Sequence, residues 1–263
     1  MSDASTRFRQ AHEDGDLSAD ALDALTIGDI GAEIQAGLGV TPDEVPASEV
    51  VLVTMMPDDS GSIRFAGAEQ AMRDGHNLVL QALKTSRQME GVLVHTRYLN
   101  GHVLFPYRRL EDAVELTKSN YSGHLGTPLY DQAAVILGTV LLKAREFEEA
   151  GVPVRTITLI LTDGEDAGSK EQDARSVAAI ARDMLRLETH IIAAMGISDG
   201  SREAADRFRS VFREMGIPDE WILTPANTGA EIRAAFHVFS RSALQASQGS
   251  AQFGQTSLGG FGA

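Results

Sequence analysis

Residues 50–56, Val-Val-Leu-Val-Thr-Met-Met, form an apolar run without a break, and residues 155–162 form a second that is almost as continuous. A strand with one wet face alternates polar and apolar side chains. A strand that is apolar or β-branched throughout is covered on both faces. The rest of the chain supplies the cover. Helical spacing occupies 66–85, with Ala68, Met72, Leu78, Val79 and Leu83 on one side, and recurs over 129–150, 171–187, 202–215 and 229–246. Strand patterns fall between these stretches at 91–98, 101–105, 190–195 and 221–223. Strands alternating with helices predict a mostly parallel sheet with helices on both faces. Asn100-Gly101 joins 91–98 to 101–105 as a hairpin signal, so that pair is expected to be antiparallel. A short helix is expected at 110–116.

The flanks differ from this centre. Residues 1–15 are polar and read as loose. Leu17, Leu22, Leu25, Ile30, Ile34 and Leu38 approach helical spacing, but Gly28, Gly31, Gly37 and Gly39 cut the segment into short helices. Pro42 and Pro46 mark 41–48 as a linker. The Gly-, Ser- and Gln-rich end reads as a flexible tail. The expected division is a helical extension with linker at 1–48, a main domain at 49–246 and a tail at 247–263.

Composition removes several function classes. The net charge of −14 disfavours nucleic acid, whose phosphates require clustered Lys and Arg. No apolar run reaches the ~18 residues of a membrane span. No cysteine is present, so disulfides, thiol catalysis and zinc–thiolate sites are excluded. The polar N-terminus lacks the apolar core of a signal peptide, and the expected location is the cytoplasm.

Chemistry concentrates at three loops that follow or precede the apolar runs. The first, after 50–56, is Asp58-Asp59-Ser60-Gly61-Ser62, a D-x-S-x-S pattern. The second, Gly126-Thr127-Pro128, precedes the 129–150 helix. The third, Thr162-Asp163-Gly164, ends the 155–162 strand. In a doubly wound sheet these loops lie at the carboxyl ends of strands, where ligands bind. Together they offer hydroxyl and carboxylate oxygens, a hard donor set suited to Mg²⁺.

In order and element type these three segments resemble the von Willebrand factor type A domain, over roughly residues 50 to 244. The resemblance implies a Rossmann-like α/β fold: a doubly wound, six-stranded, mostly parallel sheet with one antiparallel edge strand, 101–105. It also implies a complete metal-ion-dependent adhesion site formed by Asp58, Ser60, Ser62, Thr127 and Asp163. Ser60 and Ser62 would bind Mg²⁺ directly, with Mn²⁺ or Ca²⁺ as substitutes, and Thr127 directly or through water. Asp58 and Asp163 would act mostly through water. Neutral hydroxyls leave such an ion short of negative charge, so it accepts a carboxylate from a partner protein. Binding rather than catalysis is the implied activity. The acidic chain and short extensions are similar to intracellular bacterial members, such as those of tellurite-resistance and stress operons, which act in signalling complexes.

Two catalytic readings compete. Gly196-Ile197-Ser198-Asp199-Gly200 matches the G-x-S-x-G of a hydrolase nucleophile elbow, with Asp219 and His237 following in suitable order. Few residues remain after Ser198 to complete such a fold, and a strand-to-helix turn with Ser198 or Ser201 as helix cap is the plainer reading. A Mg²⁺-dependent phosphoryl-transfer enzyme also places Asp at a strand end. Here neither a D-x-D at Asp58 nor a G-x-x-x-x-G-K-[ST] loop is present. Asp59 is expected to point away from the metal, Glu165 and Asp166 to be a solvated loop face, His124 a surface residue, and Met55, Met56 and Trp221 core.

Overall fold

The computed structural model describes residues 3–28, 30–87, 89–124, 126–247 and 260–261. Its strands are β1 (Val50–Met56), β2 (Val92–Arg97), β3 (Val103–Arg109), β4 (Val154–Thr162), β5 (His190–Gly196) and β6 (Ile222–Leu223). Its helices are α1 (Asp3–Glu13), α2 (Ala19–Thr26), α3 (Ile30–Leu38), α4 (Gly61–Phe65), α5 (Glu69–Leu83), α6 (Leu129–Glu149), α7 (Ala174–Arg186), α8 (Arg202–Glu214) and α9 (Gly229–Ser247). The strands form one sheet in the order β3-β2-β1-β4-β5-β6. Only β3 runs antiparallel to its neighbour. The two apolar runs are the central strands, β1 and β4, and apart from Arg155 all their residues are buried.

Strand order reverses between β1 and β4, which opens a crevice at their carboxyl ends. Met56 pairs with Ile160, so the chain leaves β1 at Asp58 beside the last residues of β4. Side chains alternate across the sheet. Val50 and Leu52 pack with Phe147 of α6, whereas Val51, Val53 and Met55 belong to the main core. α6 covers β1 and β4 on the first face, while α9 covers them on the other and packs along α5. The α5–α9 contact is close: a Cβ added to Gly75 would lie 1.9 Å from Phe236 Cδ2. Gly75 is thus a notch for that ring. Met55 and Met56 are core, as is Trp221.

The first face carries three more helices. Residues 1–15, expected to be loose, contain α1, with Ala4, Phe8 and Ala11 fully buried. Their spacing places them on one side of a helix, and that side packs on α6. A Cβ on Gly138 would lie 3.4 Å from Phe8 Cζ. Ion pairs fix the same contact: Arg145 of α6 reaches Asp14 and Asp16, each at 2.6 Å, and Arg7 reaches Glu149 at 3.2 Å. Ser18 caps α2, and its N–H and hydroxyl both donate to Asp183 of α7, at 2.7 and 2.6 Å.

Five expectations shift. No α-helix forms at 110–116, only a single 3-10 turn over Leu110–Asp112. The backbone of Leu116 is instead satisfied by the Asn77 side chain, which accepts its N–H at 2.8 Å and donates to its carbonyl at 3.0 Å. β3 runs through Pro106 to Arg109 rather than stopping at 105, because an edge strand tolerates a missing N–H. α5 starts at Glu69, since 66–68 close α4 through Ala66 N–H to Ser62 O. α7 starts at Ala174 behind its Asp173 cap, and the N–H groups of residues 170–172 donate to Asp131. Of the expected tail, 247–263, three residues are described: Ser247, which is not tail but the buried last residue of α9, and Gly260 and Phe261. There the Phe261 ring meets Trp221 edge-on at 5.1 Å, and its N–H donates to Glu220 O at 2.8 Å.

Candidate metal centre

The loop after β1 folds around its first carboxylate. Asp58 is fully buried and accepts the Ser60 N–H at 2.7 Å through Oδ1. Its Oδ2 accepts the Thr162 hydroxyl at 2.8 Å and the Asp163 N–H at 3.2 Å. One side chain therefore shapes its own turn and ties it to the end of β4. This brings the second carboxylate over the serines. Ser62 Oγ donates to Asp163 Oδ1 at 2.6 Å, Ser60 Oγ lies 3.3 Å from the same oxygen, and the two hydroxyls are 2.8 Å apart. Asp58, Ser60, Ser62 and Asp163 are thus assembled into one group.

Thr127 stands beside this group without bonding to it. A Cβ added to Gly164 would lie 3.8 Å from Thr127 Oγ1, and the Ala167 N–H donates to Thr127 O at 2.9 Å. The loop that places it is braced in both directions. Ser169 Oγ accepts the N–H groups of Tyr130 and Asp131 at the start of α6, each at 3.0 Å, while Asp131 accepts those of residues 170–172.

Several supporting residues lie outside the expected ligand set. Thr162 orients Asp58. Tyr121, buried, donates its hydroxyl to the Asp58 carbonyl. Gly123 permits the 120–124 loop to touch the serine loop, since a Cβ there would come within 2.4 Å of Ser60 O. Asp59 points away from the group, as expected, and is fastened to the β2–β3 loop. It accepts the Asn100 N–H at 3.2 Å and the Asn100 side-chain amide. Glu165 pairs with Arg207 at 3.0 Å, both exposed, and His124 is an exposed loop residue. Asp166 differs from a free solvated face: it is half-buried and accepts from Ser169 and from the Tyr130 N–H at 3.3 Å.

The electrostatics favour a cation. Burial raises Asp58 above the usual carboxylate range, against the pull of its hydrogen bonds. Burial likewise pushes Asp163 up to about 6 and Asp59 up to about 7, with repulsion from Asp58 contributing to both. Among the described residues no Lys, Arg or His forms an ion pair with any of the three. Nor do three His, Cys, Asp or Glu side chains form a ready-made metal group there. The donors are instead hydroxyls backed by carboxylates, all oxygen. Such a set fits Mg²⁺, Mn²⁺ or Ca²⁺ rather than a metal that prefers nitrogen or sulfur.

The hydrolase triad is not assembled. Ser198 is buried, donates to Pro225 O at 3.2 Å and accepts the Gly200 N–H at 3.2 Å. Asp219 is engaged by Arg213 at 2.6 Å, and His237 is exposed on α9. Ser201, not Ser198, caps α8.

The chain matches no protein-family model and no curated protein. It is similar to solved structures. The pilus adhesin SpaC from Lactobacillus rhamnosus GG, in its open conformation, superposes with a TM-score of 0.50 at 13% identity, over 75% of this chain and 30% of that one. A second form of SpaC gives 0.51 at 12% identity, over 74% and 31%. Proximal thread matrix protein 1 from the mussel byssus gives 0.49 at 16% identity, over 74% and 48%. The chain therefore spans about a third of SpaC and about half of the mussel protein. At these identities the likeness is one of fold, and the fold is the expected α/β type of the von Willebrand A domain. Among the described residues no helix is long and apolar enough to cross a membrane.

Proposed function

We propose that this chain is a divalent-cation-dependent protein-binding module. The observation that carries the reading is the convergence of the Ser60 and Ser62 hydroxyls on Asp163 Oδ1, at the crevice between the two central strands. Ser60, Ser62 and Thr127 would hold a Mg²⁺ ion, with Mn²⁺ or Ca²⁺ as substitutes. Asp58 and Asp163 would balance its charge and orient the hydroxyls. The bound ion supplies a site for one further anionic oxygen, and we assign that oxygen to an Asp or Glu of a partner protein. Asp58 keeps the serine loop folded around the position, and the 163–169 loop keeps Thr127 in place. That SpaC is described as a pilus adhesin accords with binding as the activity. We read the protein as a non-enzyme that works in the cytoplasm, in a bacterial stress-response or signalling complex. We treat 1–48 as an extension docked on the main domain, 49–247, and 248–263 as a tail.

Titration calorimetry with Mg²⁺, Mn²⁺ and Ca²⁺ tests the site. Saturable binding of one ion to the wild-type chain, weakened at least tenfold by Ser60→Ala and by Asp163→Ala, is the expected result. Affinity purification from the source cell in Mg²⁺ and in EDTA then tests the function. Partners that persist unchanged in EDTA and with Ser60→Ala would defeat the metal-centred mechanism. Sustained phosphate release lost with Asp58→Ala would replace it with phosphoryl transfer.

A further inference from the structure

Phe65 is 92% exposed, against 43% for Ile27 and 38% for Met89, the other exposed large apolar side chains among the described residues. An apolar residue partly in water is ordinary. A phenylalanine almost wholly in water leaves its full burial energy unused. The fold does not need this ring, because Ile63 on the same short helix is fully buried and supplies the apolar contact of α4. The position of Phe65 is what gives it meaning. α4 starts directly after Ser60, and a Cβ built on Gly61 would lie 3.8 Å from Phe65 Cε2. Gly61 separates the two serines whose hydroxyls face Asp163, so the ring stands at the edge of the candidate metal centre. Gly61, within reach of the ring, has no side chain to cover it, and the next residues, Ala66 and Gly67, are small and exposed. Arg64, next in the chain, is exposed and has no ion-pair or hydrogen-bond partner for its guanidinium among the described residues. This side of the centre therefore presents an apolar projection beside an unpaired positive charge.

We propose that Phe65 is the apolar anchor of partner recognition. It packs against a bulky aliphatic or aromatic side chain of an extended acidic segment whose carboxylate occupies the metal centre, with Arg64 complementary to that segment's charge. The inference rests on the binding function proposed above and adds to it the chemistry of the partner. Residues of an extended segment advance about 3.3 Å each, so the apolar side chain must lie within about two positions of the carboxylate.

Selection from a displayed library of random 12-residue peptides in Mg²⁺, on the wild-type chain and on Phe65→Ser in parallel, tests this. The wild type should enrich Asp or Glu with Leu, Ile, Phe or Met one or two positions away. Phe65→Ser should enrich the acid without the apolar neighbour and bind the wild-type peptides about tenfold more weakly. Phe65→Leu should restore the apolar preference. Equal apolar enrichment on both chains, or none on the wild type, overturns the proposal. So does a wild-type dimer in sedimentation that Phe65→Ser converts to monomer, which would give this face to a second copy. Because the ring is exposed, the melting temperature of Phe65→Ser should match the wild type. Selected peptides that need Phe65 but bind equally in EDTA would leave the anchor standing while removing the metal-centred reading.

Discussion

Binding of a divalent cation should expel protons, and more of them at low pH than at high. Asp163 is pushed up to about 6 by burial, and Asp58 is raised by the same cause. A cation reverses that balance, because it stabilises the charged form that burial disfavours. At pH 6 the Asp163 carboxyl is about half protonated before the ion arrives, and at pH 8 only about 1% protonated. Binding at pH 6 should therefore release about half a proton per ion from Asp163 alone, plus whatever Asp58 contributes, and at pH 8 from Asp163 close to none. Competition from that one proton weakens apparent affinity about twofold at pH 6 and about tenfold at pH 5. Calorimetry with Mn²⁺ in two buffers of different ionisation enthalpy reads the released protons directly. Asp163→Asn should abolish its share. Saturable binding with no proton release at pH 6, or with equal release at pH 6 and pH 8, would refute the argument that buried, uncompensated carboxylates make this centre receptive.

Phe8→Ala should cost about 3–5 kcal/mol in urea unfolding, the usual range for a fully buried phenylalanine, because α1 is held to α6 through that ring. A loss below about 1 kcal/mol would mean that α1 does not dock. Burial lowers the imidazoles of His76 and His190 to about 4 and that of His95 to about 3. Their ring nitrogen resonances should thus stay in the neutral form from pH 8 to pH 5. Unfolded imidazoles titrate near 6.5, so the stability these residues contribute is complete above about 6.5 and is lost as pH falls towards 4. The raised Asp59 and Asp163 act in the opposite sense: their contribution is complete below about 4 and is lost as pH rises through 6 to 7.

The central sheet was legible because a strand buried on both faces tolerates only apolar or β-branched residues, and apart from Met and Arg155 the runs at 50–56 and 155–162 are built of Val, Leu, Ile and Thr. Asp58, Ser60, Ser62 and Asp163 were named together because their three loop segments, in order and element type, resemble a family site, and in the fold β1 and β4 lie side by side and bring those four residues into one group. What could not be read was what the loops owe to distant side chains. Asn77 takes over the backbone of Leu116 and removes a helix. Asp131 binds three N–H groups and delays the start of α7. Tyr121 and Asn100 hold the serine loop from residues far along the chain. α1 is a different case. Ala4, Phe8 and Ala11 carry a helical period, but among charged neighbours three small or isolated apolar residues were outweighed by overall polarity. The antiparallel edge strand was expected at 101–105, but its extension through Pro106 to Arg109 was not, because those residues show no alternation of polar and apolar side chains.

The Gly75 notch constrains how α9 can travel. With Phe236 seated where even a methyl group would collide, α9 cannot glide along α5 by small increments, since each would drive the ring into the side chains of the neighbouring turn. A shift along its axis would have to lift the ring clear and reseat it about one helical turn away, some 5.4 Å. One turn along α5 the chain carries Ala71 and Met72 on one side and Leu78 and Val79 on the other, so no second glycine waits to receive the ring, and the notch acts as a lock on the position of α9.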